Sequence, residues 1–470
     1  MKAPGLKESA RRSDDGTHLV LDAGLSKPVR IFMNDALFRE CEEDVFRQLR
    51  AATAYPGVLD VVLTPDAHSG YVVPVGCVIA TRGTLCQAPV GYDIGCGMAA
   101  LLSDVPAEKG LDPRNRREFS ELVMDRVGMG VGRGSSYRPE GDRFQEIIRR
   151  GALALGESRD ACERDFIPVD DDWDPPPAPV SRGIGQLGSL GGGNHFIELQ
   201  HTQEGKLAVM IHTGSRGFGH GLASHFIQEA TRERKRADKK RRGHPKGGDG
   251  LRAEARSAAL ATGQGVYFEP DDPGWRQYKN AVAAGANYAI ANRMLILEQV
   301  SRAFRKAFGQ HPEMLYEISH NLVQEEIMPD GRMGWVHRKG ATRAFPAGHP
   351  SLRGTRWEKT GHPVIIPGSM GTTSFILFPE AGAAHSLYSV NHGCGRRMSR
   401  AAAKSTFTQS GVNQQMRALD VLVNAGGNVP IDESPGCYKD PSLVIDSVVS
   451  AGLARVAYEL TPIASLKGTD

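Results

Sequence analysis

Hydrophobic spacing along the chain alternates between a period near four and a period near two. The first clear helical pattern spans Ala36 to Ala52, where Leu37, Cys41, Val45 and Leu49 recur every fourth residue behind Asn34 and Asp35 as caps. Two β-rich runs follow at Val58 to Thr64 and Val72 to Thr81, each closed by turn residues. Ala107 to Arg150 is charged and weakly periodic and reads as mixed helix and loop, and the acidic, Pro-rich stretch 168–179 reads as a surface loop. Lys206 to His212 has the pattern of a buried strand running into TGSRG, with an amphipathic helix expected after Gly219. Tyr278 to Phe308 predicts a long Ala-rich helix. Short strands are expected at Met333 to His337, Val364 to Ile366 and Phe375 to Leu377, then a helix from Asp440-Pro441 and a final strand over RVAYELTPI. The sum is an α+β chain, read as one compact domain over residues 1–470, with the first 30 residues undetermined.

Composition narrows the class. With 470 residues and 40% hydrophobic content the chain can build a full core, which excludes global disorder. The charge is nearly balanced at +3. The segment 231–246 nevertheless holds nine Lys/Arg against two Asp/Glu, so it carries +7 and the remainder about −4. A basic surface insertion at 231–250 is expected, acting as a solvated face or as a nucleic-acid contact. Seven cysteines without a CxxC pair argue against a disulfide framework. No stretch approaches the roughly 18 apolar residues of a membrane span. The expectation is a cytoplasmic protein without membrane association.

Candidate chemistry lies in clusters that place metal-capable side chains among glycines: PDAHSG (65–70), GYDIGCGM (91–98), GGGNHFIE (191–198), IHTGSRG (211–217), VHRKGATR (336–343) and NHGCGR (391–396). Glycine removes side-chain bulk and lets a ligand approach the backbone. Asp93 and Cys96 can place a carboxylate and a bridging thiolate on one turn. His195, His212 and His337, each at the end of a strand-like run, are the natural imidazoles to complete two metal sites. Donor softness alone points to zinc. Arg216, Arg338, Arg343, Arg396 and Arg400 add forks suited to phosphate.

In this order DIGCGM, LGGGNHFIE, HTGSRG, HRKGATRAFP, PGSMGT and HGCGRRMSR resemble the motifs of RtcB-type RNA-splicing ligases, from about Asp66 to Lys467. The resemblance implies a fold with a central cleft. It also implies GTP- and manganese-dependent joining of RNA 2′,3′-cyclic phosphate or 3′-phosphate ends to 5′-hydroxyl ends. By that likeness His392 is the guanylylated histidine, and Asp93, Cys96, His195, His212 and His337 hold two Mn²⁺ ions per site. The GTP-binding set it implies is Asn194 to Glu198 (with His195, Phe196 and Ile197), His337, Arg338, Pro367, Gly368, Ser369, Met370, Ser374, His392, Gly393, Cys394, Gly395, Tyr438 and Lys467. Glu198 accepts from the guanine N1–H and 2-amino group. Arg216 and Arg396 hold RNA phosphates, and RNA is the implied partner, with an archease-type activator as a second. The chain departs from the family pattern at Cys394, Thr213, Val72 and Cys77, where Ala, Ser, Gly and Gly are usual. Two other readings are a paralogue that caps or repairs 3′-phosphate ends of RNA or DNA, and a non-catalytic RNA-binding protein with a structural metal site.

Overall fold

The computed structural model describes residues 5–156, 167–242 and 266–468, with side chains of 237–242 left aside. Two large sheets organise it. The first orders its seven strands as Arg11–Arg12, Leu19–Leu21, Val29–Ile31, Val58–His68, Val75–Thr81, Met333–Lys339 and Asn321–Ile327. The second runs Glu313–Ser319, Gly97–Pro106, Lys206–Thr213, Phe196–Thr202, Ala454–Leu466, Ser374–Pro379 and Val364–Ile366, with Leu422–Val423 also on Ala454–Leu466. Nearly all neighbours are antiparallel, and helices alternate with the strands along the chain, so the α+β expectation holds.

The predicted helix over Ala36 to Ala52 forms as two, Asp35–Glu40 and Glu43–Thr53. Asn34 caps the first by accepting from the Leu37 N–H. At Cys41 the backbone turns extended, and the Lys7 ammonium takes up the carbonyls of Arg39 and Cys41 that the break releases. The first 30 residues contribute three strands at one edge of the seven-stranded sheet. The acidic loop keeps no secondary structure up to Pro176, but Trp173 is buried and Pro177 opens a helix to Gln186. Of the basic segment 231–250, residues 231–242 extend the helix that begins at Arg216, and 243–250 lie outside the described residues.

The helix Pro273–Phe308 passes through the middle of the molecule, buried on almost every side. Its alanines let sheet and helices approach closely, and its three buried asparagines bond to the backbone of loops around it. Asn292 accepts from the N–H of Gly188 and Ser189 and donates to the carbonyls of Ser189 and Gly214. Loops that carry the glycine clusters are thus tied to a rigid rod.

Candidate functional site

Four adjacent strands of the eight-stranded sheet end at the same level. Gly97 pairs with Ser319 on one side and Thr213 on the other, and His212 pairs with Phe196. That register sets His320, Cys96, His212 and His195 side by side at one end of the sheet. The Cys96 Sγ lies 3.2 Å from His212 Nε2 and 3.6 Å from His195 Nε2. His212 Nε2 is 3.3 Å from His320 Nε2, and His195 Nε2 is 3.1 Å from Asp93 Oδ2. Two donor groups result, Asp93–Cys96–His195 and Cys96–His212–His320, sharing the thiol.

Backbone carbonyls fix the ring orientations: Leu190 O takes the Nδ1 of His195 at 2.9 Å and Asn194 O that of His212 at 3.0 Å. Each Nε2 then points toward the cluster. Burial pushes His212 and His320 well below the ordinary imidazole value, so both are neutral and ligand-competent. Burial works to raise Asp93, yet the His195 hydrogen bond and the Arg216 charge hold it low. Gly214 is needed beside it, because a Cβ there would lie 2.4 Å from the carboxylate oxygens. The sulfur, imidazole and carboxylate set, with Cys96 common to both groups, fits a pair of divalent cations.

Arg293 braces this arrangement from beneath. Fully buried on the central helix, it donates to the carbonyls of Gly95 and Thr213, both at 2.8 Å, and to Ser319 Oγ at 3.1 Å, and pairs with Glu317. Each of the first three acceptors is the chain neighbour of a ligand: Cys96, His212 and His320.

His337 is not among them. It sits within the strand Met333–Lys339 of the other sheet, between Val323 and Ile79. Its Nε2 accepts from the Cys86 N–H at 3.0 Å, and its Nδ1 bonds the carbonyls of Ile79 and Trp335. The strand does not end there as the pattern suggested but runs two residues further. Its neighbour Arg338 is also held elsewhere, bidentate on buried Glu326 at 2.6 and 2.8 Å. His320 takes the place expected of His337. It follows a strand without flanking glycine, so the glycine-cluster signal passed over it.

Beside the cluster a cleft is lined by Asn194, Phe196, Glu198, Pro367 to Met370, Gly393 to Arg396, Arg400, Glu433, Tyr438 and Lys467, with His392 at its inner end. Strand alternation explains the lining: Phe196 and Glu198 face the cleft, whereas Ile197 packs its side chain into the core behind. Glu198 accepts from Ser465 Oγ and Gln200 Nε2, both at 2.9 Å, and burial raises it to about 7 against the pull of Lys467. Ser374 Oγ accepts from the Gly368 N–H and from Gln200. The Lys467 ammonium stands 5.3 Å from the Phe196 ring and 3.3 Å from Glu433. Arg396 is bound to Glu433 and the carbonyls of Met398 and Asp432, and Arg400 is the more open arginine at the rim. Arg216 lies behind His195, its guanidinium crossing the space that Gly191 leaves open.

His392 decides the character of the site. Its Nδ1 is 2.7 Å from Oδ2 of the fully buried Asp66, whose other oxygen accepts from Thr64. Burial would raise Asp66, but the His392 imidazole and these hydrogen bonds outweigh it and hold the carboxyl below its ordinary value. The ring of His392 is 4.8 Å from that of His320. A histidine oriented by a buried carboxylate thus stands where the cleft meets the two donor groups. The family model for the tRNA-splicing ligase RtcB matches residues 48–468. The chain belongs to the RtcB family. It is 31% identical to a tRNA-splicing ligase RtcB of Thermococcus kodakarensis over 95% of this chain and 96% of that protein. Identity is 32% to its namesake in Pyrobaculum aerophilum (94% and 95% covered) and 33% to an RNA-splicing ligase RtcB of Mycobacterium tuberculosis (86% and 96%). RtcB membership supports an RNA-ligase activity. Sequence reasoning did not assign Asp66 and His320, which the fold places against His392 and within the donor cluster. No described helix is long and apolar enough to cross a membrane.

Proposed function

We propose that the protein is a GTP- and Mn²⁺-dependent RNA ligase that joins 2′,3′-cyclic phosphate or 3′-phosphate ends to 5′-hydroxyl ends through a guanylylated His392. The observation that carries this reading is the Asp66–His392 pair at the junction of the cleft and the donor cluster. With Nδ1 held by Asp66, the His392 Nε2 is directed away from the carboxylate and serves as the nucleophile. It attacks the α-phosphate of GTP, a P–N bond forms and pyrophosphate leaves. An oxygen of the RNA 3′-phosphate, freed from the cyclic form by water where necessary, then takes the GMP from His392. The 5′-hydroxyl oxygen finally attacks the activated phosphate and GMP departs.

Glu198 and Lys467 are the base-reading groups of this scheme, with Phe196 and Tyr438 as packing surfaces. The loop Pro367 to Met370 and the turn Gly393 to Gly395 offer close-lying backbone to the phosphates. Gly395 must be glycine, since a Cβ there would fall 2.0 Å from the Asp66 carbonyl oxygen. Asp93, Cys96 and His195 would hold one cation and Cys96, His212 and His320 the second. Bound there, the metals neutralise phosphate charge and lower the pKa of an attacking oxygen. Donor softness favours zinc, so zinc is expected to compete with manganese. RNA and an archease-type activator are the partners of this reading.

Incubation with α-labelled GTP and Mn²⁺ tests it. A covalent, acid-labile label on the wild type that is lost in His392→Ala is the expected result. A folded, metal-loaded protein that takes no label overturns the reading.

A further inference from the structure

Gln200 lies two residues beyond Glu198 on the strand Phe196–Thr202, on the same face and without solvent contact. Its Nε2 donates to Glu198 Oε2 at 2.9 Å and to Ser374 Oγ at 3.1 Å. Its Oε1 is buried with no hydrogen-bond partner among the described residues. An unsatisfied buried acceptor destabilises a fold, and an apolar side chain of the same length would avoid it. A glutamine held here in spite of that points to a task for the amide.

The surroundings of Glu198 show what the task is. On one side of the sheet its register partner is Ser465, whose Oγ donates to Glu198 Oε1 at 2.9 Å. On the other side its partner is the apolar Met210. The charged group that acts on it is Lys467, itself shared with Glu433 at 3.3 Å. Each carboxylate oxygen therefore takes one donor from the protein, Ser465 on Oε1 and Gln200 on Oε2, and keeps a further lone pair for a ligand in the cleft.

Two accepting oxygens suit the N1–H and 2-amino group of guanine. One proton on the carboxyl changes the pattern to a donor beside an acceptor, which suits N1 and the 6-amino group of adenine. Burial favours that proton, raising Glu198 to about 7. The Ser465 hydroxyl is no safeguard, because it turns to accept as readily as to donate. The Gln200 amide is one. Turning it over would bury both Nε2 hydrogens where Oε1 now has no partner, so its donor stays on Glu198. The same Nε2 reaches the phosphate side of the cleft through Ser374 Oγ, which accepts from the Gly368 N–H at 3.0 Å.

We infer that Gln200 is a positioning residue that sets the base specificity of the cleft: by donating to Glu198 it holds the carboxylate in the doubly accepting form that takes guanine and refuses adenine. That the base is guanine rests on the ligase reading; the arrangement of donors around Glu198 rests on the fold.

The test is calorimetric titration of the full-length, Mn²⁺-loaded protein with GMP and with AMP, with Gln200→Met and Gln200→Glu alongside. Gln200→Met keeps the length and removes the donor. GMP binding should weaken about 10–100-fold, the range of a hydrogen bond to a charged group, while AMP binding holds or tightens. In Gln200→Glu the new carboxyl does the work of the amide only while it keeps a proton. Its GMP affinity should fall relative to wild type between about pH 7 and 8.5, as the second of two adjacent carboxyls ionises. A Gln200→Met protein with the wild-type ratio of GMP to AMP affinity overturns the assignment. Should that variant not fold, a Gln200→Glu protein that follows wild type across the pH range overturns it equally. A wild type that binds GMP no better than AMP removes both this role and the guanine part of the ligase reading. GMP labelling of the same preparations keeps the two apart: a protein that takes no label on His392, yet prefers GMP and loses that preference in Gln200→Met, retains the role of Gln200 without the ligase reading.

Discussion

The Nδ1 of His392 and the Oδ2 of Asp66 are 2.7 Å apart although 326 residues separate them in the chain. The carboxylate has no solvent contact, so its direction, and with it the tautomer of the imidazole, is fixed by the fold. Asp66→Asn preserves shape but no longer demands a proton on Nδ1. The guanylylation rate should fall at least about a hundredfold, as expected when an orienting group of a nucleophile is lost. Binding of GMP should be nearly unchanged. A variant that labels at the wild-type rate would remove Asp66 from the mechanism.

The two buried histidines 320 and 337 answer differently to truncation. His320→Ala removes one donor from the Cys96–His212–His320 group, and the protein should retain one equivalent of Mn²⁺ in place of two. His337→Ala leaves the Cys86 N–H without its acceptor and opens a cavity. It should cost about 3 kcal/mol of stability while keeping both metals. Metal content by atomic emission, with urea denaturation alongside, reads both. Loss of metal in His337→Ala alone would return His337 to the ligand set in place of His320.

Most of the elements were legible because period and caps agree. Asn34, Asp440-Pro441 and the apolar run Lys206 to Ile211 each appear where their chemistry predicts. The cleft was legible for a different reason: its lining comes from glycine-rich turns, which stand out in any sequence. What stayed hidden depends on partners far along the chain. Nothing local distinguishes His337, whose ring serves two backbone carbonyls and an N–H in one sheet, from His320, which reaches the cluster because Ser319 pairs with Gly97. Arg338 likewise has the look of a phosphate fork until Glu326 is found opposite. The break at Cys41 needed Lys7, more than 30 residues away.

Val72 and Val73 are a matched pair for measuring strain. Both are buried in the same cluster, but only Val72 has a positive φ. Glycine at either site loses about 1.5–3 kcal/mol of apolar burial. At position 72 it also relieves a left-handed conformation worth about 1–2 kcal/mol. Val73→Gly should therefore be the more destabilising by roughly 1–2 kcal/mol in urea denaturation. Equal losses would mean that the loop relaxes and stores no strain.

Glu198 carries a pH signature. Burial lifts it from 4.5 to about 7 in the folded apo protein, the reverse of the usual carboxylate case. Between those values the folded state keeps a proton that the unfolded chain has released, so this group's contribution falls as pH rises from 4.5 to 7 and is flat beyond. Guanine recognition needs the ionised form. GMP affinity should increase from pH 6 to 8 in the wild type and stay level and low in Glu198→Gln. The same variant should melt higher than wild type above pH 7 and equally at pH 4.5. A wild-type affinity independent of pH would place the carboxyl outside the base-reading set.

Arg293 provides the sharpest division between structural support and ligation, because it touches no donor atom of the cluster. Its guanidinium joins Gly95, Thr213 and Ser319, and through them sets the spacing of Cys96, His212 and His320. Arg293→Met leaves Glu317 in a dry interior without its cation, and removing one partner of such a pair costs about 3–5 kcal/mol. The double variant Arg293→Met with Glu317→Gln removes that charge and should recover much of the stability. It still lacks the three-way brace. If the brace positions the ligands, Mn²⁺ affinity of the double variant stays depressed about 10–100-fold after stability returns, the range seen when outer-shell partners are lost. If affinity recovers together with stability, Arg293 serves the core alone and the strand register suffices to place the ligands.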